Sequence, residues 1–457
     1  MRNDLLNLCS NKSGNVAVMF AIVATLLILA AGGAVDFSNY MVRKGEVQDA
    51  ADAASVGAIS TSSQDYKTAV AMTSDGSITP STSAQNIFNS DKPIAPDTSP
   101  LTFGVTEQRV SNNINATVSV AGNFSTNFLG MVGIRTLPIN VVSNATATMP
   151  AYVDFYMLLD NSPSMGLGAT TADIQAMNKA TGCAFACHTT SDPGDNYYAT
   201  AQTTKTATGA AVQLRIDVVS QATQNLMTTA TATAQANGVQ SEFRVAIFDF
   251  GPYAYTAPAL NNVTATTSNP SGLTSALTGS AMTTAISSVQ LQMVPSQNAA
   301  YQTAVAQGSV GNNDEDTNFS YALTQILPLM VPPPATTAGN GSTASAPQKV
   351  LFFVTDGMVD MNSSGARVMG GLDTTKCTAL KNAGVTIAIL YTTYLPSSIS
   401  SDSWSLTNAV PLLPQIAPAL QACASPGLYY PVSPSDGISE AMTALFQKVI
   451  ATVRVTS

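Results

Sequence analysis

Residues 16–35, VAVMFAIVATLLILAAGGAV, contain no charged side chain and a single polar one, Thr25. A run of about 20 apolar residues rising ~1.5 Å each covers the ~30 Å hydrocarbon core of a bilayer. The apolar part of a cleavable signal peptide is shorter, about 7–15 residues. The helical pattern also continues past the run. Phe37, Tyr40, Met41, Val47, Ala51, Ala54 and Ala58 recur at steps of three and four, placing them on one helical face. The expectation is a transmembrane helix at 16–35 that runs on as a stalk. Arg2, Lys12 and the α-amino group outweigh Asp4 in the short tail at 1–15. That balance predicts a cytoplasmic N-terminus, with everything after the anchor outside the cytoplasm. For a bacterial chain this means a single-pass inner-membrane protein with its bulk in the periplasm.

Charged residues make up 10% of the 457 residues, against about 25% in soluble proteins generally. The net charge is −9, with no cluster of Lys and Arg that could neutralise phosphates, which excludes nucleic acid as a partner. The length allows two or three domains.

Residues 60–100 are rich in Ser, Thr, Pro and Asp and read as a linker or irregular lobe. Residues 116–124 and 137–149 alternate apolar and polar side chains, as half-buried strands do. Together, 36–149 read as a stalk helix with a small β lobe, a pilin-like α+β unit. From 150 to the end the pattern is strand–helix alternation. The strands are expected at 153–159, 243–250, 349–356, 385–393 and 428–432, and the helices at 212–236, 317–330, 373–383, 414–423 and 436–453. Continuous apolar strands between helices predict an α/β, doubly wound, mostly parallel, Rossmann-like sheet covered on both faces. Residues 166–210 and 252–310 fit no element and are expected to be two long insertions.

Ligands of such sheets gather at the carboxyl ends of the strands. There the first strand ends in Asp160-Asn161-Ser162-Pro163-Ser164, and the 349–356 strand ends in Thr355-Asp356-Gly357. The segment Asp314-Glu315-Asp316-Thr317-Asn318 opens a helix between them. Two carboxylates and three hydroxyls, with no His or Cys, are hard oxygen donors that suit Mg²⁺, Mn²⁺ or Ca²⁺.

D-x-S-x-S, then T-N-x-x-x-A-L, then a strand ending T-D-G resembles the metal-ion-dependent adhesion site of von Willebrand factor type A (VWA) domains. The resemblance implies a divalent cation, Mg²⁺ first, held directly by Ser162, Ser164 and Thr317 and through water by Asp160 and Asp356. It also implies an open coordination position that takes a carboxylate from a partner protein. The stretch from Ser164 to Thr317 is longer than that family usually shows. Further upstream, Gly14-Asn15-Val16-Ala17-Val18-Met19-Phe20, Gly32-Gly33-Ala34-Val35-Asp36 and Gln48-Asp49-Ala50-Ala51-Asp52-Ala53-Ala54 resemble the TadE/TadG-type segment of tight-adherence (Flp) pilus assembly. An anchor of that type followed by a VWA domain is similar to the TadG family. That family implies partners among pilus or envelope components.

Four cysteines lie on the outer side, where disulfides persist. Cys377 and Cys423 fall in consecutive helical regions, and their pairing leaves Cys183 with Cys187. The stretch Cys183-Ala184-Phe185-Ala186-Cys187-His188 has one residue too many between its thiols for a C-x-x-C-H haem site. His188 is the only histidine, and no nucleophile elbow or phosphate loop is present. The chain therefore reads as a non-enzymatic pilus-assembly protein that grips a partner through a metal. The alternative is an adhesin whose VWA domain attaches directly to surfaces.

Overall fold

The computed structural model describes residues 13–93, 96–182, 197–237, 242–254, 257–265, 267–269, 271–275, 317–363, 366–394, 403–433 and 437–456. They fall into two compact units, 1–149 and 150–457.

The first unit is built on one helix of 46 residues, Ser13–Ala58. Among the described residues it is the one helix long and apolar enough to cross a membrane. Its side chains are exposed along the apolar run, whereas Val47, Ala50, Ala51 and Ala54 are buried. These small residues let the helix lie close against Val118, Val120, Ile139 and Val141 of a four-stranded antiparallel sheet. Its strands are β1 (Gly76–Ile78), β2 (Thr102–Val110), β3 (Asn113–Ser125) and β4 (Thr136–Thr148), in that spatial order. Two short helices, Gln64–Ala71 and Ser83–Asp91, complete the unit.

Three features differ from the sequence reading. Residues 60–100 are not irregular, because they hold the two short helices and β1. The sheet has four strands rather than two. β2 is hidden in the sequence because two of its inward positions are Glu107 and Arg109, both buried. The Arg109 guanidinium donates to the carbonyls of Ala69, at 2.9 Å, and of Met72, which satisfies the buried charge locally. Phe37 and Met41, placed on the packed face by periodicity, are more than half exposed.

In the second unit β5 (Val153–Asp160), β6 (Phe243–Ala254), β9 (Gln348–Thr355), β12 (Thr386–Thr392) and β13 (Tyr429–Val432) run parallel. β7 (Ala257–Asn262) and β8 (Thr274–Ser275) both pair antiparallel with β6, and β10 (Val359–Ser363) with β11 (Ala366–Gly370) forms a separate ribbon. The main sheet reads β13-β12-β9-β5-β6-β7.

Helices cover both faces. Phe155, Met157 and Leu159 point toward helices Arg215–Ala236 and Ile438–Thr456. The alternate residues Tyr156 and Leu158 point toward Phe319–Met330, Thr374–Asn382 and Leu413–Cys423. This alternation follows from the period of two in an extended chain, and burial on both faces explains the unbroken apolar runs. Two further helices, Thr171–Thr181 and Tyr197–Thr203, lie where the sequence suggested no element. The first is started by a capping box in which Thr170 and Asp173 satisfy each other's backbone N–H.

Cys377 and Cys423 form a disulfide between two of the helices on the second face. Cys183 and Cys187, with His188, lie outside the described residues. The bridge closes a loop with a sequence separation of 46, and chain-entropy reasoning gives such a loop about 4 kcal/mol of stabilisation. Replacing both cysteines by Ser should therefore lower the stability of the second unit by up to about that amount. Denaturant unfolding of the full-length protein in detergent, with and without reductant, measures it. Reductant should shift the parent protein by more than the double variant, in which only the Cys183–Cys187 pair expected from the sequence is left to reduce.

Candidate functional site

Taken in chain order, the five parallel strands lie in the spatial order second, first, third, fourth, fifth. The order reverses between β5 and β9, so the crevice at their carboxyl ends is the switch point where open α/β sheets hold ligands. Leu159 sits beside Val354 in the ladder, so the next residues along, Asp160 and Thr355, open into that crevice together.

The first loop is folded around Asp160, which is fully buried. One carboxylate oxygen accepts the Ser162 backbone N–H at 2.9 Å and the other accepts the Thr355 hydroxyl at 2.5 Å. The Ser162 and Ser164 hydroxyls are 3.1 Å apart; Ser162 is buried and Ser164 half-buried, which places Ser164 toward solvent. Thr355 also accepts the Gly357 backbone N–H. Gly357 has φ +78°, and a Cβ there would stand 2.6 Å from Ile416, so the turn after Asp356 admits glycine alone in comfort.

Thr317 is buried and exchanges two backbone hydrogen bonds with Asp360, at 2.7 and 3.1 Å, four residues after Asp356. The segment expected to carry the third hydroxyl thus runs beside the chain that leaves β9. The helix after it begins at Phe319, capped by Asn318, whose side chain accepts the Tyr321 N–H. Asp160, Ser162, Ser164, Thr355 and Asp356 form one connected cluster. Thr317 joins it through the backbone of the Asp356–Asp360 stretch.

Sequence reasoning missed Arg215. Its guanidinium is fully buried, 3.5 Å from Asp356 Oδ2, donates to the Thr393 carbonyl at 3.0 Å and lies 4.7 Å from the Tyr394 ring centre. The available signal was its helical spacing: Arg215 shares a face with Val219, Ala222, Thr223 and Leu226, all buried. A lone Arg on an otherwise apolar face must have a buried partner.

Burial pushes the Asp160 carboxyl up to about 7, with the neighbouring Asp356 charge adding to the rise and hydrogen bonds from Ser162 and Thr355 opposing it. Burial also raises Asp356, and the Arg215 charge pulls it back most strongly. Two buried carboxylates, with one guanidinium beside Asp356, need either a proton or a further cation. The donors named at the crevice are oxygen only, two carboxylates and hydroxyls, and among the described residues no group of three or more His, Cys, Asp or Glu that could hold a metal ion comes together. Hydroxyl and carboxylate oxygens are the donor type a hard divalent cation takes, and Ser162, Ser164 and the two carboxylates, with Thr317 alongside, are the residues that would hold one.

Residues 14–62 match the Tad family, described as "Putative Flp pilus-assembly TadE/G-like". No curated protein matches the chain. Among solved structures, the pilus adhesin SpaC from Lactobacillus rhamnosus GG is similar over 79% of this chain and 35% of its own, at 12% identity and a TM-score of 0.33. The human COPII-coat protein Sec24c is similar over 67% of this chain and 32% of its own, at 9% identity and a TM-score of 0.30. The chain spans about a third of the length of each. A membrane-spanning protein from Vibrio fischeri covers 57% of this chain with all of its own length, at 9% identity and a TM-score of 0.15. These scores are too low to assign a shared fold.

The Asp160 environment sets a sign for pH dependence. An unfolded Asp titrates near 4, so in ion-free buffer the folded state binds the extra proton between about 4 and about 7. Stability from this group is therefore complete below about 4 and is lost as pH rises through about 7. Thermal melts in chelator should show the protein more stable at pH 5 than at pH 8. Asp160→Asn, which imitates the protonated acid, should flatten that part of the profile. An unchanged slope in the variant would assign the effect to another group.

Proposed function

We propose that this chain is a TadG-like pilus-assembly protein, anchored in the bacterial inner membrane by its first helix, with a periplasmic VWA-type domain. In this reading the domain grips a partner through a divalent cation. The observation that carries it is the coexistence in one chain of a TadE/G-like segment at 14–62 with a hydroxyl-and-carboxylate cluster at the switch point of a parallel sheet. The family segment supports the pilus context, and the donor chemistry supports the metal.

The chemistry follows from charge. With both acids ionised, Asp160, Asp356 and Arg215 carry one net negative charge. A divalent ion there keeps positive charge uncompensated, and Mg²⁺ binds hydroxyls and water readily while retaining open positions. A carboxylate on a partner neutralises that excess. Ser162 and Ser164 orient the ion from one strand end. Asp356 would hold it from the other, and Arg215 fixes the Asp356 side chain. A bound ion would supply the electrophilic contact, and these residues its position.

Asp160→Ala and Asp356→Ala should each abolish stabilisation by Mg²⁺. A ligand present at a hundredfold its Kd stabilises the wild-type fold by about 2.7 kcal/mol, readable as a rise in Tm over chelator. In cells Asp160→Ala should reduce pilus assembly or surface attachment at near-normal protein abundance, whereas Asp356→Ala also strands the buried Arg215 charge and should lower abundance as well. Variants that fold, bind no ion and still attach like wild type would leave the domain a structural block and sink the metal mechanism. Attachment by the purified periplasmic domain itself would instead favour a direct adhesin.

A further inference from the structure

The connection between β3 and β4 carries Phe128-Leu129-Gly130-Met131-Val132-Gly133-Ile134, an apolar sequence where a polar turn is usual. Met131, Val132 and Ile134 are 74%, 55% and 47% exposed. Yet the loop is closed and internally bonded. The Gly133 N–H donates to Gly130, the Ile134 N–H to Leu129 and the Thr126 N–H to Arg135. Exposed apolar side chains on a well-bonded loop call for a covering surface.

The position of the loop identifies that surface. Its base rests on the long helix at Gly32 and Gly33, where Cβ atoms would stand 2.4 Å from Phe128 Cγ and 3.2 Å from Leu129 Cδ2. Both glycines belong to the apolar run 16–35, roughly 3–5 Å inside its outer end at ~1.5 Å per residue. Asp36, the first charge after the run, is buried. It accepts the backbone N–H groups of Asn127, Phe128 and Leu129 at 3.2, 2.8 and 2.8 Å. One carboxylate thereby satisfies three loop donors, the condition for placing non-helical backbone at the edge of a bilayer. Arg135, exposed just beyond Ile134, can reach lipid phosphates.

We infer that the 128–134 loop inserts into the outer interface of the bilayer that the helix crosses, giving the first unit a second seat on the lipid. This rests on the anchor reading of the helix. Two seats fix both the height of the lobe and its rotation about the helix axis, which a single helix leaves free.

The test uses full-length protein carrying Trp404→Phe, since Trp404 is the sole tryptophan, reconstituted in phosphatidylcholine–phosphatidylglycerol vesicles. Met131→Trp should give blue-shifted emission, quenched most by lipids brominated near the glycerol end of the acyl chain. In a parallel sample Leu27→Trp should be quenched most by bromine near the methyl end. Quenching of the Leu27→Trp probe with a water-exposed, unquenched Met131→Trp probe would overturn the loop proposal and leave the anchor standing. Two unquenched probes would overturn both. A blue-shifted Met131→Trp probe that lipid bromine does not quench would mean the loop is covered by protein, such as a second copy, and would also overturn the proposal.

Discussion

The parallel pairing of β5 with β9 is the contact on which the second unit depends. At its amino end the buried Asp154 takes Arg244 from β6 in a bidentate pair at 2.6 and 2.7 Å and Lys349 from β9. One carboxylate thus joins three strands. A buried pair contributes little net stability, but breaking it is costly because a lone buried charge remains. Its effect here is on register. A slip of one residue would turn Phe155, Met157 and Leu159 toward the wrong core. It would also part Asp160 from Thr355 at the far end. The ion pair at one end of the strands and the crevice cluster at the other are two consequences of one alignment.

The crevice cluster is electrostatically incomplete by construction. Asp160 and Asp356 are held in a dry setting that disfavours their charge, and Arg215 offsets only part of it. A guanidinium, planar and permanently charged, is suited to such a burial, where Lys could simply lose its proton. Without an ion, Arg215 beside Asp356 and a proton on the raised carboxyls keep the pair tolerable. Under the proposed function, a divalent charge would take the place of that proton.

Much of this was legible in the sequence because the parallel sheet leaves a strong trace. Runs such as VDFYMLL and KVLFFVT are apolar on both faces, and each stops at Asp or Thr-Asp where the chain reaches the crevice. What the sequence hid was polar groups doing apolar work. β2 escaped because Glu107 and Arg109 stand at its inward positions, and Arg215 escaped because a charge at a helix start reads as solvated. The Thr171–Thr181 helix was hidden by its weakly apolar composition, although Thr170 and Asp173 mark its start in hindsight. The Thr317 hydroxyl remains the least connected of the five expected donors, because its segment is joined to the cluster through backbone rather than side chain.

The long helix shows the same economy in the first unit. Along 16–31 nearly every side chain is apolar and most are exposed, the pattern of a helix suited to lipid. From Val47 onward only one face is buried, and there the residues shrink to alanine so that the sheet can approach. Gly32, Gly33 and Asp36 stand where the apolar run ends and the first charge follows. The glycines open space for Phe128 and Leu129, and Asp36 gathers the loop's free N–H groups. Phe37 and Met41 lie just beyond, exposed to more than half of their surface. Helical periodicity assigned them to the packed face, but periodicity cannot distinguish a face covered by protein from one that faces the edge of a membrane. In a helix that passes from one medium to the other, the position along the axis decides what an apolar residue touches.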